Sequence, residues 1–256
     1  MSRDSVLISA IDLHALLQRD TSTVVLSVGS ASEGIPGAVA VDPSVFSGEG
    51  GGLKGARPLP DLATLQANVQ VWGIDDDTAV VLYDANGNLT AARGWWTLKW
   101  AGLRNVRLLD GGIAAWEEAD LPFAALIALK GEGTAALSAD HLPQIDADGA
   151  EAYARHDILL DARSEKAFGG GHIPGARNLP AGGNLDGDDR FLPDDQLRTR
   201  YAFRDGARIG VSCGSGVSAA HDIAALAIIG VPAALFVGSW SAWSADPARP
   251  VALEAA

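Results

Sequence analysis

The sequence predicts an α/β protein of two similar domains, each a parallel β-sheet flanked by helices. Three observations support this prediction: a length of 256 residues, short apolar runs that alternate with helical patterns, and an internal repeat. A chain of this length exceeds the usual size of one hydrophobic core, so two domains of about 100–150 residues are expected. Short strands that alternate with helices are typical of parallel sheets covered by helices on both faces.

In the first half, short apolar runs predict buried strands at residues 23–28, 79–83 and 106–109. The segments around and between them have the spacing of amphipathic or buried helices. These predicted helices cover residues 11–18, 61–72, 91–101 and 112–119.

The second half predicts a similar series of strands, at residues 157–161, 208–212 and 234–237. Active sites in such sheets lie beyond the carboxyl ends of the strands. The predicted helices of this half cover residues 147–155, 194–203, 217–229 and 240–244.

An internal repeat relates the two halves and indicates duplication of one α/β unit. Between the halves, residues 126–142 are rich in Gly, Thr and Ser and are predicted to form a linker. The boundary is placed near residue 130, which gives domains 1–130 and 131–256. The matching positions are Gly102 and Gly230, Gly111 and Gly238, and Trp116 and Trp243, at spacings of 128, 127 and 127, with Ile-Pro-Gly-Ala at 35–38 and again at 173–176.

Composition and charge exclude several classes of protein. The net charge of −13 disfavours nucleic acid and anionic membrane surfaces as partners, because both carry negative charge. No apolar run reaches the roughly 18 residues of a membrane-spanning helix, and the N-terminus has no signal-peptide pattern, so a cytoplasmic location is expected. The five histidines have no metal-ligand spacing, and neither a metal nor a cofactor is predicted.

The chemistry is predicted to centre on Cys213, the only cysteine in the chain. It follows a predicted strand and opens a glycine-containing loop that leads into a helix. Backbone N–H groups of such a loop, with the dipole of the helix start, form a nest that favours a thiolate or a persulfide anion. The alternative is a small buried thiol that only fills space. The predicted anion cradle comprises Gly214, Ser215, Gly216, Val217 and Ser218.

Several motifs together resemble the tandem rhodanese-type sulfurtransferases. The resemblance covers most of the chain and implies two rhodanese-like domains, of which the second is catalytic. It implies that Cys213 takes sulfane sulfur from a small donor and passes it to a thiol or cyanide, with a protein thiol as a further possible acceptor. Asp84 matches Cys213 in the first domain and cannot carry sulfur, so that domain is expected to be inactive. The motifs are Leu-Asp-Ala-Arg at 160–163, Gly-His-Ile-Pro-Gly-Ala at 171–176, Cys-Gly-Ser-Gly-Val-Ser-Ala at 213–219 and Val-Gly-Ser-Trp-Ser-Ala-Trp at 237–243.

The resemblance leaves the donor open between 3-mercaptopyruvate and thiosulfate. Members that prefer 3-mercaptopyruvate have Gly-Ser-Gly after the cysteine, as here, and Ser215 would contact that donor, move a proton or cap the helix. Those members also have an arginine where this chain has Ala167. A carboxylate clamp formed by arginine is hard to replace. Substitute donor-binding residues are sought in Lys166, Arg57, Arg177 and Trp240.

Three further polar residues near these motifs have structural interpretations. Arg163 is expected to pair with Asp161, His172 to hydrogen-bond its own loop, and His221 to pack within the helix after the cysteine loop.

Two other classes compete with the sulfurtransferase prediction. A phosphatase needs an arginine six residues after the cysteine, and this chain has Ala219 there, which leaves the phosphate without its main charge stabiliser. A non-catalytic binding or redox-sensing protein would retain the loop and lack the arginines that bind the donor. A mass gain of one sulfur on Cys213 separates transfer from binding.

Overall fold

The computed structural model describes residues 1–204 and 206–253, and this part of the chain forms two five-stranded sheets and one two-stranded sheet. The strands are β1 (Leu7–Ile8), β2 (Val24–Val28), β3 (Glu33–Gly34), β4 (Val39–Val41), β5 (Val80–Tyr83), β6 (Val106–Leu109), β7 (Ala124–Ala125), β8 (Gln144–Ile145), β9 (Ile158–Asp161), β10 (Arg177–Asn178), β11 (Ile209–Ser212) and β12 (Ala233–Phe236).

Helices connect the strands and cover the sheets. Short 3-10 helices lie at Pro43–Phe46, Gly52–Lys54 and Ala181–Asn184. The α-helices are α1 (Arg3–Val6), α2 (Ala10–Arg19), α3 (Leu62–Val71), α4 (Ala91–Trp100), α5 (Gly112–Glu118), α6 (Ala147–His156), α7 (Glu165–Gly169), α8 (Asp194–Arg200), α9 (Ser218–Ile228) and α10 (Ser239–Trp243).

The two large sheets have the same topology. The first has the order β1-β6-β5-β2-β4 and the second the order β8-β12-β11-β9-β10. All of their strand pairs are parallel. β5 and β11 therefore occupy the same central place, as duplication of one unit requires. The predicted fold class, two α/β domains with parallel sheets flanked by helices, is confirmed.

The central strands form because their apolar side chains are buried on both faces of each sheet. Every residue of β2, β5, β9, β11 and β12 is buried. Helix starts are fixed locally by side-chain caps: Asp61 accepts the Thr64 N–H at 2.8 Å, and Asp146 accepts the Gly149 N–H at 2.8 Å. Such caps satisfy N–H groups that have no acceptor within the helix.

Edge strands and two short helices, α1 and α7, were missing from the sequence prediction. The strands β1, β4, β8 and β10 have only two or three residues, too few to show an alternating pattern. They form because a parallel neighbour supplies their hydrogen-bond partners. The helix α7 has five residues and lies where no helix was predicted.

The segment between the sheets runs along the first domain. The Gly133 N–H donates to the Gln70 carbonyl at 2.7 Å, and the His141 N–H donates to the Trp100 carbonyl at 3.1 Å. The domain boundary near residue 130 stays a prediction.

Helices α4 and α9 pack against each other between the two sheets. Trp95 and Trp96 of α4 are fully buried, and α9 presents alanines such as Ala220 and Ala224, also fully buried. These residues belong to one hydrophobic cluster that includes strands of both sheets. The two domains therefore share a continuous core, and α4 and α9 form its centre.

Candidate active site around Cys213

Cys213 lies directly after the central strand β11, at the carboxyl edge of the second sheet. The following loop leads into α9, which begins at Ser218. The Cys213 side chain is buried, with the whole residue only 1% exposed. The structure therefore places the thiol where parallel α/β sheets hold their functional groups.

One backbone amide of the predicted cradle contacts the sulfur. The Gly216 N–H donates to Cys213 Sγ with a nitrogen–sulfur distance of 3.0 Å. Gly216 has a φ of 80°, a left-handed conformation that glycine adopts without a steric penalty. A Cβ on Gly216 would lie 2.7 Å from the Val237 carbonyl oxygen. Glycine is therefore required at this position by both the backbone conformation and the available space.

The rest of the loop offers N–H groups that no protein atom accepts. Within residues 1–204 and 206–253, the amides of Gly214, Ser215, Val217 and Ser218 have no protein acceptor. The loop itself is held by α10, because the backbone N–H of Trp240 donates to the Cys213 carbonyl at 2.9 Å. An anion on the sulfur would thus find amide donors in a loop of fixed shape.

The equivalent loop of the first domain contains an anion of its own. Asp84 follows β5 as Cys213 follows β11, and its Oδ1 accepts the N–H groups of Asn86 and Asn88, both at 2.8 Å. Its Oδ2 accepts those of Thr90 at 2.8 Å and Ala91 at 2.9 Å. The loop after the central strand is thus built to surround a negative charge with amides.

Ser239 is a residue of the site that the sequence analysis did not single out. Its Oγ accepts the Cys213 N–H at 3.1 Å and donates to the Phe236 carbonyl at 2.8 Å. Ser239 is fully buried and has a φ of 51°, which is strained for a residue with a Cβ. The repeat holds a signal for it: Ser239 stands where the first domain has Gly112, whose φ is 57°.

Arg163 forms the expected pair with Asp161. Its guanidinium contacts both carboxylate oxygens, with Nη2–Oδ2 at 2.7 Å and Nε–Oδ1 at 2.9 Å. The same guanidinium lies over Trp240, with its central carbon 4.7 Å from the ring centroid. Trp240 therefore contacts both Cys213, through its backbone N–H, and the Arg163 guanidinium, through its ring.

The three cations considered for donor binding lie in different places. Lys166 and Arg177 are exposed, and within the described residues neither side chain makes a hydrogen bond or an ion pair. The Arg57 side chain is exposed beside Asp42 and Glu49 in a cavity of about 630 Å³. Its carbonyl, in contrast, accepts a hydrogen bond from Arg93, which also contacts the Cys213 loop.

Two buried side chains cross from one domain to the loop of the other. Arg93 of α4 donates from Nη1 to the Gly216 carbonyl at 3.3 Å. His221 of α9 contacts the Gly87 carbonyl through Nε2 at 3.1 Å. Gly87 and Gly216 both have positive φ, 56° and 80°, so the two contacts are equivalent in the duplicated structure. Sequence analysis did not identify Arg93, because its contact spans 123 positions.

Both histidines have the structural roles expected of them. His172 contacts the Phe168 carbonyl through Nδ1 at 3.1 Å and stacks on the Phe168 ring. His221 is fully buried and stacks on Phe191. Burial lowers the pKa of His221 to about 4, so its imidazole is neutral at neutral pH.

Comparison with known proteins identifies the class to which this fold and site belong. The rhodanese-like domain family matches residues 9–119 and 145–246. "Putative thiosulfate sulfurtransferase SseB" of Mycobacterium tuberculosis (strain H37Rv) is 39% identical over 277 aligned residues, which cover 98% of each chain. "Probable 3-mercaptopyruvate sulfurtransferase" of Pseudomonas aeruginosa is 42% identical over 224 residues, covering 78% of this chain and 77% of the relative.

A solved structure agrees with these sequence relatives. The crystal structure of SseA from Escherichia coli, described as a 3-mercaptopyruvate sulfotransferase, has a TM-score of 0.80 and 26% identity, and covers 94% of this chain and 100% of its own. The chain belongs to the rhodanese family, with two copies of the domain, and is a sulfurtransferase. In the described part of the chain, no helix combines the length and apolar character needed to cross a bilayer.

Proposed function

We propose that the protein moves sulfane sulfur from a small donor to a thiol or cyanide acceptor, with Cys213 as the carrier. One observation supports this assignment above the others. The sulfur of Cys213 occupies the position in its loop at which the first domain holds the Asp84 carboxylate with four amide N–H groups. A loop that stabilises a carboxylate by amide donation stabilises a thiolate or a persulfide in the same way.

The proposed reaction has two displacements at sulfur. The Cys213 thiolate attacks the donor sulfur, and a new S–S bond forms. With thiosulfate, the donor S–S bond breaks and sulfite leaves. With 3-mercaptopyruvate, the C–S bond breaks and the thiol proton is transferred to the enolate carbon, giving pyruvate. The acceptor thiolate or cyanide then takes the outer sulfur, and the electron pair of the S–S bond returns to Cys213.

The residues proposed to bind the donor are those predicted from the sequence. Trp240 lines it, and Gly214, Ser215, Gly216, Val217 and Ser218 form the cradle for the outer sulfur. Lys166, Arg57 and Arg177 remain candidates for the donor anion, and the names of the relatives support testing both donors. Since the chain has a single cysteine, no second thiol can resolve the persulfide, and the acceptor must come from outside, as a small thiol, cyanide or a protein thiol. A cytoplasmic location, where thiols are kept reduced, fits this requirement.

Mass spectrometry after incubation with each donor tests the proposal. We expect a gain of one sulfur on Cys213 with thiosulfate, 3-mercaptopyruvate or both, and its loss when cyanide is added, with thiocyanate formed. Cys213→Ser should show neither product while its circular dichroism stays that of the parent protein. No mass gain with either donor would refute transfer and favour a binding or redox-sensing role.

A further inference from the structure

Arg93 is a buried cation of the first domain with no carboxylate partner in the described part of the chain. Only 2% of its surface is exposed. Its four hydrogen bonds all go to neutral carbonyls, those of Phe46, Arg57, Pro58 and Gly216, at 3.3–3.5 Å. A buried charge without a counterion is costly. The position therefore calls for a negative group nearby.

The Cys213 sulfur fits this requirement. Nη1 of Arg93 contacts the carbonyl of Gly216, and the N–H of the same residue contacts Sγ. An arginine has five N–H donors, and the second N–H of Nη1 has no protein acceptor within residues 1–204 and 206–253. A donor thus remains free on the nitrogen that touches the loop.

The titration behaviour of Arg93 agrees with this geometry. Burial lowers the pKa of Arg93 to about 10, the negative charge of Cys213 opposes that shift, and Arg57 adds to it. The guanidinium therefore stays protonated at neutral pH and can interact with a negative charge on the sulfur.

The duplicated half of the molecule supplies an internal comparison. There, His221 reaches across to the Gly87 carbonyl as Arg93 reaches to that of Gly216. That loop already contains the Asp84 carboxylate, which accepts four backbone N–H groups. Its cross-domain partner, His221, is neutral. If these contacts only joined the domains, neither would need a charge. Of these two cross-domain side chains, only Arg93 is a cation, and it contacts the loop of Cys213.

We propose that Arg93 is a positioning residue for the proposed sulfur carrier: it fixes the Gly216 peptide and supplies a buried positive charge that stabilises the anionic sulfur of Cys213. The first domain thereby takes part in the chemistry of the second, although it has no thiol of its own. This inference rests on the proposed role of Cys213. Other charged or titratable groups on the elements around the sulfur are Asp161 at the end of β9, Arg163 two residues later, His221 and Asp222 on α9, Lys99 on α4, and Arg57 in the first domain.

The test compares variants that separate charge from contact. We expect Arg93→Gln to lower the rate of Cys213 alkylation by iodoacetamide at pH 7 on the order of tenfold and to move the rate profile upward by about one pH unit. Arg93→Lys retains a positive charge and should stay within about threefold of the parent rate. His221→Gln, which breaks the equivalent contact on the other side, should leave the profile unchanged. An unchanged profile in Arg93→Gln, or equal losses in the glutamine and lysine variants, would overturn the proposal.

A second measurement covers the case in which Arg93→Gln does not fold. In the parent protein, which retains both Arg93 and Cys213, the Nε–H NMR signal of Arg93 should shift with pH in parallel with the alkylation rate. In Cys213→Ala it should not shift over that range, and a signal that behaves identically in both proteins would overturn the inference. Both measurements omit the sulfur donor, so failure of sulfur transfer would refute the proposed function and leave this test standing.

Discussion

Asn184, at the end of a 3-10 helix, and His221 and Asp222 of α9 form a fully buried polar cluster. Asn184 Nδ2 donates to Asp222 Oδ1 at 2.7 Å and contacts His221 Nδ1 at 3.2 Å. Asp222 Oδ2 has no hydrogen-bond partner among the described residues. Burial raises the pKa of Asp222 to about 7 and lowers that of His221 to about 4. The two neighbours thus lose their charges by the same cause, desolvation.

The two groups are expected to change stability in opposite directions with pH. Native Asp222 keeps its proton up to about pH 7, while the unfolded side chain loses it near pH 3.8. Its contribution to stability is therefore lost as the pH rises toward 7. His221 behaves in the reverse way: its contribution is present above pH 6.5 and is lost as the pH falls toward 4.

Asp222→Asn should remove only the loss of stability that Asp222 causes as the pH rises toward 7. Relative to the parent, we expect this variant to gain on the order of 3 kcal/mol of unfolding free energy between pH 5 and pH 8, measured by urea denaturation. His221→Gln is the control for the opposite pH dependence, because it removes the stability that neutral His221 contributes above pH 6.5. This variant should therefore lose stability relative to the parent as the pH rises from 4 to 6.5. Parallel pH curves for all three proteins would show that neither group titrates as stated.

At Ser239, strain and hydrogen bonding can be separated by two substitutions. Ser239→Ala loses the hydroxyl that accepts the Cys213 N–H and keeps the unfavourable positive φ, so we expect a loss of about 1–3 kcal/mol of stability and slower sulfur transfer. Ser239→Gly loses the same hydroxyl but relieves the strain and should be about 1 kcal/mol more stable than the alanine variant. Thermal unfolding and thiocyanate production measure the two effects, and an alanine variant as stable as the glycine variant would argue against strain.

At the scale of the element, the loop between β11 and α9 is shaped by two glycines with different constraints. Gly216 has a positive φ, and its Cβ position lies against the Val237 carbonyl. No heavy atom lies within 4 Å of the Cβ position of Gly214. Only one of the two glycines is therefore required by geometry, although the sequence presents them alike.

Alanine at each position tests this difference. Gly216→Ala should displace the amide from the sulfur and lower transfer activity more than tenfold, with overall secondary structure retained. Gly214→Ala is the matched control in the same loop and should retain activity within about threefold. The measurements are thiocyanate production and circular dichroism, and equal activity losses in both variants would contradict the proposed geometry.

At the scale of the whole molecule, the shared core makes each domain depend on the other. The α4–α9 contact is apolar, and Arg3 of the first domain pairs with Asp194 of the second at 2.7 Å. The Ala56 N–H also donates to Ser241 Oγ across the domains at 2.8 Å. Separation would expose the apolar face of α9 and uncover Arg93.

We therefore expect a fragment of residues 131–256 to be unable to fold alone into a stable monomer, because a large exposed apolar patch favours aggregation. Size-exclusion chromatography and circular dichroism should show aggregated or largely unfolded protein. Coexpression with residues 1–130 should restore a soluble complex. A monomeric fragment with a cooperative thermal transition would show that the domains are independent.

The main strands, the main helices and the position of Cys213 were predictable because each depends on local pattern. Buried parallel strands such as β5 and β11 are short apolar runs, and the glycines that follow β6 and β12, Gly111 and Gly238, recur in both halves. The duplication also predicts Asp84 as the counterpart of Cys213.

Sequence alone determined the fold class and the repeat, and it predicted Cys213 as the residue that we propose carries the sulfur. Tertiary structure decided the edge strands and the four amides around Asp84. It also decided the hydrogen bond from Cys213 to Ser239 and the contact of Arg93 with Gly216 of the other domain. These features depend on contacts between residues far apart in the chain, and such contacts leave no periodic pattern in the sequence. Only packing of the two halves through α4 and α9 brings a cation of one domain to the sulfur of the other.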